Sequence, residues 1–432
     1  MIQDLHDFPD NSDIDTDLCI VGGGIAGISI ASGFLNQGIN VCLLESGGSD
    51  YEGNTQALYE GENLGLPYYD LEDARLRFFG GTTLVWGGRC VPHDAIDFEN
   101  RPWVPHSGWP ISRTDLDSWY IRAQESLELK EPIYDEQAWK KLGITPPQFD
   151  PHRIRTGFWQ FDEAFARFSL NNCEDLKQAD NIRILLHANV TNIQVDPLCK
   201  TVQHVDIATL EGKKGRLCAK VFVLATGGIE TPRLLLASRG VASNGIGNDN
   251  DLVGLFFMEH PHGRAAHIST PDPYQLWNTF RKRRARGGNL FAPVIRSSEQ
   301  QQKSSGILNT SVTLKCQRKP EAGIPIGKAI YKSGKARLHP TKGGRKLWRF
   351  YKKTNQFIHT LTDPIIRRRQ LSSGRGGLYL IVRGEQAPNV HGIDNLYVAG
   401  SSLFPTSGWA NPVLTTLALT LRLADHLKPR LS

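Results

Sequence analysis

The stretch DTDLCIVGGGIAGISIASGFLNQGINVCLLESGG, Asp15 to Gly48, fixes how this chain starts to fold. Leu18–Val21 is a short apolar run of buried-strand type. Gly22, Gly24 and Gly27 then form G-x-G-x-x-G. Helical apolar spacing predicts a helix from Ile25 to Asn36, with Gly38 placed to stop it. Val41–Leu44 reads as a second strand that ends on Glu45. Gly22 permits a tight turn, Gly24 lets a diphosphate approach the helix N-terminus, and Gly27 lets helix and strand pack closely. Glu45 stands where a carboxylate accepts hydrogen bonds from ribose hydroxyls. An acid there disfavours a 2′-phosphate, so NAD or FAD is expected over NADP.

The remaining stretches choose between the two. VFVLATGGIETPRLLLAS places a buried strand, Val221–Leu224, before a turn at Gly227 and Gly228 and a helix. It reads as a second β-turn-α unit closing over the same ligand. ILLHANVTNIQV before it reads as a strand, with Val190 just past a turn-prone Ala-Asn pair. RFFGGTTLVWGG carries Gly80, Gly81, Thr82 and Thr83, a loop whose backbone and hydroxyls suit a flat or phosphorylated ligand. NAD needs no such loop so soon after the first βαβ unit; the larger FAD would use it. Near the end, SGWANPVLTTLALTLRLADHL reads as a helix with Asn411 as its cap and Pro412 at its first position. Leu414, Leu417, Ala418 and Leu421 share its buried face. The unpaired N–H groups at its start suit an anion or an atom that becomes negative.

At 432 residues and 40% hydrophobic content the chain can bury one large core or two domains. Its seven cysteines show no C-x-x-C pair and no zinc spacing. Cys19 and Cys42 read as small buried hydrophobes in a reducing compartment. The acidic N-terminus lacks a signal-peptide core, and no run of about 18 apolar residues is present. A cytoplasmic location is therefore expected, with peripheral membrane contact kept open. The net charge of +6 is unevenly spread. Pro271 to Gln370 holds 23 Lys and Arg against 4 Asp and Glu, leaving −13 for the rest of the chain.

Together, Gly22-x-Gly24-x-x-Gly27, FGGTTLVWGG, ATGGIETPRLL, VGLFFMEHP and NLYVAGSSLFPTSGWANPVLTTLALTLRLADHL resemble the glucose–methanol–choline (GMC) family of FAD-dependent oxidoreductases, in the family's order. The resemblance implies an α/β fold. A Rossmann-like FAD domain would be built from residues 15–114, 181–263 and 389–427. A smaller α+β substrate domain with an antiparallel sheet would comprise residues 115–180 and 264–388. It implies that Gly22, Gly24 and Gly27 hold the diphosphate and Glu45 the ribose, with Val190 meeting adenine through its backbone. Gly80, Gly81, Thr82, Thr83 and Gly227 would lie along the cofactor, and Gly400 and Ser401 would contact its diphosphate–ribityl part. Asn411, Pro412 and Leu414 would approach the pyrimidine edge of the isoalloxazine, where the helix start stabilises the negative charge that arrives with hydride. Val85 stands where some family members carry a flavin-linked His, so non-covalent FAD is expected. The implied reaction is hydride transfer from a CH–OH group of an alcohol or sugar to flavin N5; the electron acceptor is not specified.

One family feature is missing. A His-x-x-Gly-Thr stretch normally supplies the base, and none stands upstream of the last strand. GLYLIVRGEQAPN and VHGIDNLYVAG are joined directly at Asn389–Val390. His260 is the substitute expected from FFMEHPH, with His262 beside it; His391 matches the family's entry into the last strand, away from the flavin face. Loss of a base costs about 10²–10⁴-fold in rate. Two readings therefore stay open: an active oxidoreductase, or a flavin-binding, catalytically impaired remnant with a membrane- or partner-docking role. The basic segments Phe280–Gly288 and Gly344–Phe357 read first as a solvated face or lid, next as a contact for an anionic membrane or acidic partner. Nucleic acid is disfavoured, since no binding motif accompanies them. In the second segment Leu347, Phe350 and Tyr351 have the spacing of an amphipathic helix.

Overall fold

The computed structural model describes residues 1–66, 68–164, 166–259, 263–318, 376–383 and 393–432, of which 317–318 and 376–383 are described by backbone alone. The Asn389–Val390 junction, His260, His262, His391 and the second basic segment lie outside these residues. Fifteen described strands form two sheets. In chain order they are β1 (Ile2–Asp4), β2 (Ser12–Val21), β3 (Val41–Leu44), β4 (Arg89–Cys90), β5 (Ile154–Phe161), β6 (Ile182–Leu186), β7 (Asn189–Val195) and β8 (Val202–Ala208). There follow β9 (Lys214–Leu224), β10 (Gly263–Ile268), β11 (Arg283–Arg284), β12 (Leu290–Ser297), β13 (Ser311–Arg318), β14 (Gly376–Arg383) and β15 (Leu396–Val398).

The first sheet runs β1-β6-β3-β2-β9-β8-β7, and β15 also pairs with β9. From β1 to β9 the pairing is parallel, while β9-β8-β7 is an antiparallel meander. The long strand β9 is flanked on one side by β2, from Ser12↔Gly215 to Val21↔Leu224. Its other side meets β8 over its first half and β15 over its last residues, Leu396↔Phe222 to Val398↔Leu224. Strict alternation divides the apolar residues between two cores. Leu18, Ile20, Val41, Leu43, Val221 and Val223 pack with the Ile25–Ser32 and Val413–Leu431 helices. Cys19, Val21, Cys42, Leu44, Phe222 and Leu224 pack with the meander and with Leu234 and Leu235 of the Gly227–Ala237 helix. Cys19 and Cys42 lie opposite one another as free, fully buried thiols. Burial holds the Cys42 thiol at about 12, far from a reactive thiolate.

The second sheet is antiparallel, in the order β10-β14-β13-β12-β5-β4, with β11 beside β12. One face carries Phe158, Phe291, Leu314 and Cys316 against Trp139, Trp277 and Phe280. The other carries Trp159, Phe161 and Val294 against Trp409 and Ala410, which arrive from the chain's last segment. β10 is an edge strand exposed along Gly263–His267.

Several expected boundaries move. The first helix ends at Ser32 rather than Asn36. The segment 184–195 is two strands, not one, broken at His187 and Ala188; His187 adopts φ 54°. Residues 115–180, expected wholly in the smaller unit, divide: the Asp117–Ser126 helix packs into the first core with the C-terminal helix, while β5 joins the second sheet. The acidic N-terminus also contributes β1, outside the expected start at 15. The basic run at Phe280–Gly288 is a hairpin rather than a uniform solvated face: Phe280 and Ala285 are buried, Arg284 pairs with Glu163 at 2.7 Å, and Lys282 lies over the Phe161 ring.

Candidate functional site

The C-terminal ends of β2, β3, β9 and β15 lie along one edge of the first sheet, the place where open α/β sheets bind ligands. They deliver Gly22, Glu45, Ala225 and Gly400 to one elongated cleft. Backbone bonds hold the edge together: Gly22 N–H donates to Leu44 O at 2.8 Å, Ala225 N–H to Val21 O at 2.7 Å, and Ala399 N–H to Leu224 O at 2.8 Å. Gly22 sits at φ +110°, and a Cβ on it would lie 2.6 Å from Ala225 O. Gly27 does not line the cleft. A Cβ there would come within 1.9 Å of Gly22 O, so its role is the close approach of helix to turn.

Glu45 is 6% exposed. Its Oε2 accepts from Gly23 N–H at 2.9 Å and its Oε1 from Gly47 N–H at 2.9 Å. Burial raises its carboxyl above the usual range, and those two N–H groups and the Arg77 charge oppose the shift. The glycine-rich loop is tied to the same turn, since Gly80 N–H donates to Gly23 O at 2.7 Å. Gly80, Gly81, Thr82, Thr83, Val190, Gly227, Ser401 and Pro412 all line the cleft with Gly22, Gly24, Glu45 and Gly400. The two threonines are already engaged: Thr82 Oγ1 accepts from Leu76 N–H, and the Thr83 hydroxyl donates to Gly80 O.

The C-terminal helix spans Val413–Leu431, and Pro412 already has helical angles at the cap position. The expected arrangement, Asn411 capping with its side chain and Pro412 first in the helix, is displaced by one residue, and Pro412 makes no side-chain cap bond. Asn411 Oδ1 is buried without a hydrogen-bond partner. Val413 and Thr416 reach the cleft. Leu414 does not: its side chain is wholly buried in the first core, so only its backbone is available to a ligand.

The structure adds residues that sequence reasoning missed. Arg75, Arg77 and Arg233 converge on Glu230 at 2.8, 3.0 and 2.7 Å, and all four line the cleft. Both Arg75 and Arg77 lie over the Tyr59 ring, at 4.0 and 4.2 Å. Three guanidinium groups against one carboxylate leave a positive surplus beside Glu45. The sequence signal was modest: Glu230 and Arg233 share one helix face at i, i+3, and Arg77 directly precedes the glycine-rich loop.

These residues fit FAD on two counts. Cβ atoms on the cleft-lining Gly24, Gly227 and Gly400 would meet nothing of the protein within 4 Å, which marks space held open for a ligand. Guanidinium groups, glycine amides and a ribose-type acid also form the donor and acceptor set that an adenosine diphosphate moiety requires.

Comparison with known proteins agrees. A family model described as FAD dependent oxidoreductase matches residues 17–243, and one described as GMC oxidoreductase matches residues 385–420. The chain belongs to the FAD-dependent oxidoreductases of the GMC type. The fructose dehydrogenase large subunit of Gluconobacter japonicus is 53% identical over 47 residues, 11% of this chain and 9% of that protein. The 2-methyl-1,2-propanediol dehydrogenase of Mycolicibacterium austroafricanum is 22% identical over 57% of this chain and 55% of that protein. These two matches thus span only 9% and 55% of the relatives' lengths. The 6‴-hydroxyparomomycin C oxidase of Streptomyces lividus is 24% identical over 97% of this chain and 93% of that protein. Among solved structures, a formate oxidase aligns over 98% of this chain and 99% of its own, at 14% identity and TM-score 0.49. A pyridoxine 4-oxidase aligns over 95% and 99%, at 15% identity and TM-score 0.43. FAD is the cofactor of this GMC flavoprotein.

The flavoprotein's second sheet is fastened to the start of the C-terminal helix. Asp94 Oδ2 accepts from Trp409 Nε1–H at 2.7 Å, Arg296 Nη1–H at 2.5 Å and Asn309 Nδ2–H at 3.0 Å. Asn309 Nδ2 also donates to the fully buried Asp97 at 3.0 Å. Burial and the adjacent Asp94 charge push the Asp97 carboxyl up to about 7. Between its ordinary value of 3.8 and about 7, the folded chain keeps a proton there that the unfolded chain has released. Stability is therefore greatest below that window, falls as pH rises through it, and levels off above. We expect the urea midpoint to fall between about pH 5 and 7, and the Asp97→Asn variant to show a flatter profile. An unchanged slope in the variant would remove Asp97 as its source.

Proposed function

We propose that the flavoprotein oxidises a CH–OH group of an alcohol or sugar, with hydride passing to N5 of non-covalently held FAD. The observation that carries this reading is the start of the C-terminal helix at the cleft. Its first ladder bond runs from Thr416 N–H to Pro412 O at 2.8 Å, so the N–H groups of Val413, Leu414 and Thr415 have no acceptor within the helix. These groups and the helix dipole favour negative charge on whatever faces them. Asn411 adds a buried, unpartnered oxygen at the same point and is the residue we assign to orient the reacting end of the substrate. Bound FAD supplies the two-electron acceptor. Gly80, Gly81, Thr82 and Thr83 would flank it, and Gly22, Gly24, Gly400 and Ser401 would receive its diphosphate and ribityl part, with Arg75 and Arg77 adding charge. Glu45 would bind the ribose and the backbone at Val190 the adenine. Val85, exposed just past the loop, offers no side chain for a covalent link.

A second cavity adjoins the cleft through Gly228, Ile229, Ser401 and Pro412 and is walled by Tyr68, Phe256, Phe257 and Glu259. We assign the substrate to it. Among the described residues no histidine lines either cavity. The one buried histidine nearby, His93, is held by Thr415 Oγ1 at 2.6 Å and Ser407 Oγ at 3.0 Å. His260, the expected substitute base, lies outside the described residues, so a second reading stays beside the first: a flavin-binding protein with impaired catalysis whose basic 271–370 segment docks to an anionic membrane or a partner. Anaerobic addition of an alcohol and sugar panel decides between them. Bleaching of the flavin bands by a member of the panel, slowed about 10–10³-fold in Asn411→Ala, is the expected result. Bleaching by dithionite but by no alcohol or sugar would establish the impaired form.

A further inference from the structure

On the far side of Ser46 from the cofactor cleft lies a third, more polar cavity of about 470 Å³ that the flavin reaction does not use. His6 and His187 meet in it across the Asp4 carboxylate, their rings 4.9 Å apart. Each ring presents Nδ1 to Asp4, His6 to Oδ1 at 2.6 Å and His187 to Oδ2 at 2.6 Å. Each also presents Nε2 to a different glutamate: His6 to Glu211 at 2.6 Å, and His187 to Glu52 at 3.0 Å.

We propose that Asp4, His6 and His187 bind a divalent transition-metal ion, with zinc as the fitting probe. All four imidazole nitrogens face carboxylate oxygens, whereas a neutral imidazole has only one N–H to donate. One dication held by the two Nδ1 atoms and Asp4 would take the place of Nδ1–H donors at these contacts. It leaves each Nε2–H donating to Glu211 or Glu52, the carboxylate–histidine–metal arrangement that fixes ring orientation and raises ligand basicity. The three ligand atoms already lie within 4.8 Å of one another. Tetrahedral zinc with bonds near 2.1 Å spaces its ligand atoms by about 3.4 Å, so the 2.6 Å contacts need to open by roughly 0.8 Å. Two imidazoles and a carboxylate also make a donor set suited to zinc rather than to calcium or magnesium.

The ligands come from the β1 end, the turn after it, and the His187 break between β6 and β7, with Glu52 and Glu211 from two further loops. A bound ion would therefore pin the edge strand to the backbone behind Glu45, because His187 N–H donates to Gly47 O and Ala188 N–H to Glu45 O.

The test uses the full chain with its FAD. The holoprotein is stripped with a chelator and titrated with zinc chloride alone, and bound metal is counted after gel filtration. Flavin absorbance reports that the fold is intact. Stoichiometric zinc is expected, with His6→Ala losing high-affinity binding. Glu211→Gln, on a side chain 68% exposed and outside the ligand set, should weaken binding about 10–100-fold at unchanged flavin content. Substoichiometric zinc in the wild type would overturn the site. Undiminished zinc binding by His6→Ala would overturn it equally.

Discussion

A Gly27→Val protein is expected to purify without flavin and to be strongly destabilised. The first side-chain carbon at this position would sit 1.9 Å from Gly22 O, and the next nearest atoms, Gly22 C and Leu43 Cδ1, are at 3.1 and 3.2 Å. The obstructing atom is backbone, so no rotamer relieves the contact. Either the helix lifts from β2 or the turn at Gly22 moves, and Gly22 is pinned to Leu44 O by its own N–H. Both movements alter the turn that would receive the diphosphate. Overpacking in a well-packed interior costs about 1–3 kcal/mol and occasionally more, and the loss of bound FAD removes a further stabilising term. The absence of the flavin bands after purification, with an urea midpoint lowered even when FAD is added, checks the expectation. A yellow Gly27→Val protein of normal stability would show that Gly27 does not set the helix–turn distance.

The second large effect is expected at Trp409. Its side chain is 1% exposed, packs at a 47° tilt against Trp159 of the second sheet with ring centroids 5.7 Å apart, and donates through Nε1 to Asp94. Trp409→Ala should lose about 3–5 kcal/mol through the cavity left behind, and it removes one of the three donors to Asp94 Oδ2, leaving Arg296 and Asn309. Trp409→Phe keeps most of the packing and loses the N–H, so it should cost roughly 1.5–3 kcal/mol. Urea titration of the holoproteins measures both. Because Asn411 follows two residues later, the alanine variant should also slow any substrate-dependent flavin reduction. An intact reduction rate beside the stability loss would confine Trp409 to a structural role.

How far the chain could be read beforehand follows the range of the interactions. The β2-turn-helix-β3 unit was legible because its determinants are contiguous: an apolar run, three glycines, another apolar run and a terminal acid. The helix end was misplaced for a non-local reason. Gly33 ends it at a point where a Cβ would come 3.1 Å from Ala424 Cβ of the C-terminal helix, and nothing within Ile25–Asn36 announces that neighbour. The break at His187 was hidden in the same way, since Glu45 and Gly47 hold it open through backbone bonds. Motifs singled out Gly22, Gly24 and the Glu45 acid, which the fold brings to one cleft, and Gly27, which it does not. The Arg75–Arg77–Glu230–Arg233 cluster was not legible, because its members meet only when the segment before the glycine-rich loop is laid against the Gly227–Ala237 helix. Nor was the Asp94–Trp409 fastening, whose partners come from opposite ends of the chain. Leu414 illustrates a finer limit: helical spacing placed it on the buried face correctly, and that same burial withdraws its side chain from the cleft.

Strand β15 reaches its neighbour β9 only after the whole second sheet has been made, because Leu396 pairs with Phe222. A ribosome working from the N-terminus therefore releases β2, the first helix and β3 long before the C-terminal helix exists to cover them. Phe34, packed in the finished protein in one core with Leu417 and Ala424, has no such cover in the nascent chain. Neither has the edge of β9 that pairs with Tyr397 in β15. During synthesis this protein carries a half-built nucleotide fold with one bare side, a situation that invites wrong partners and chaperone holding. The residues that complete the cleft are thus also the ones that end the nascent chain's exposure.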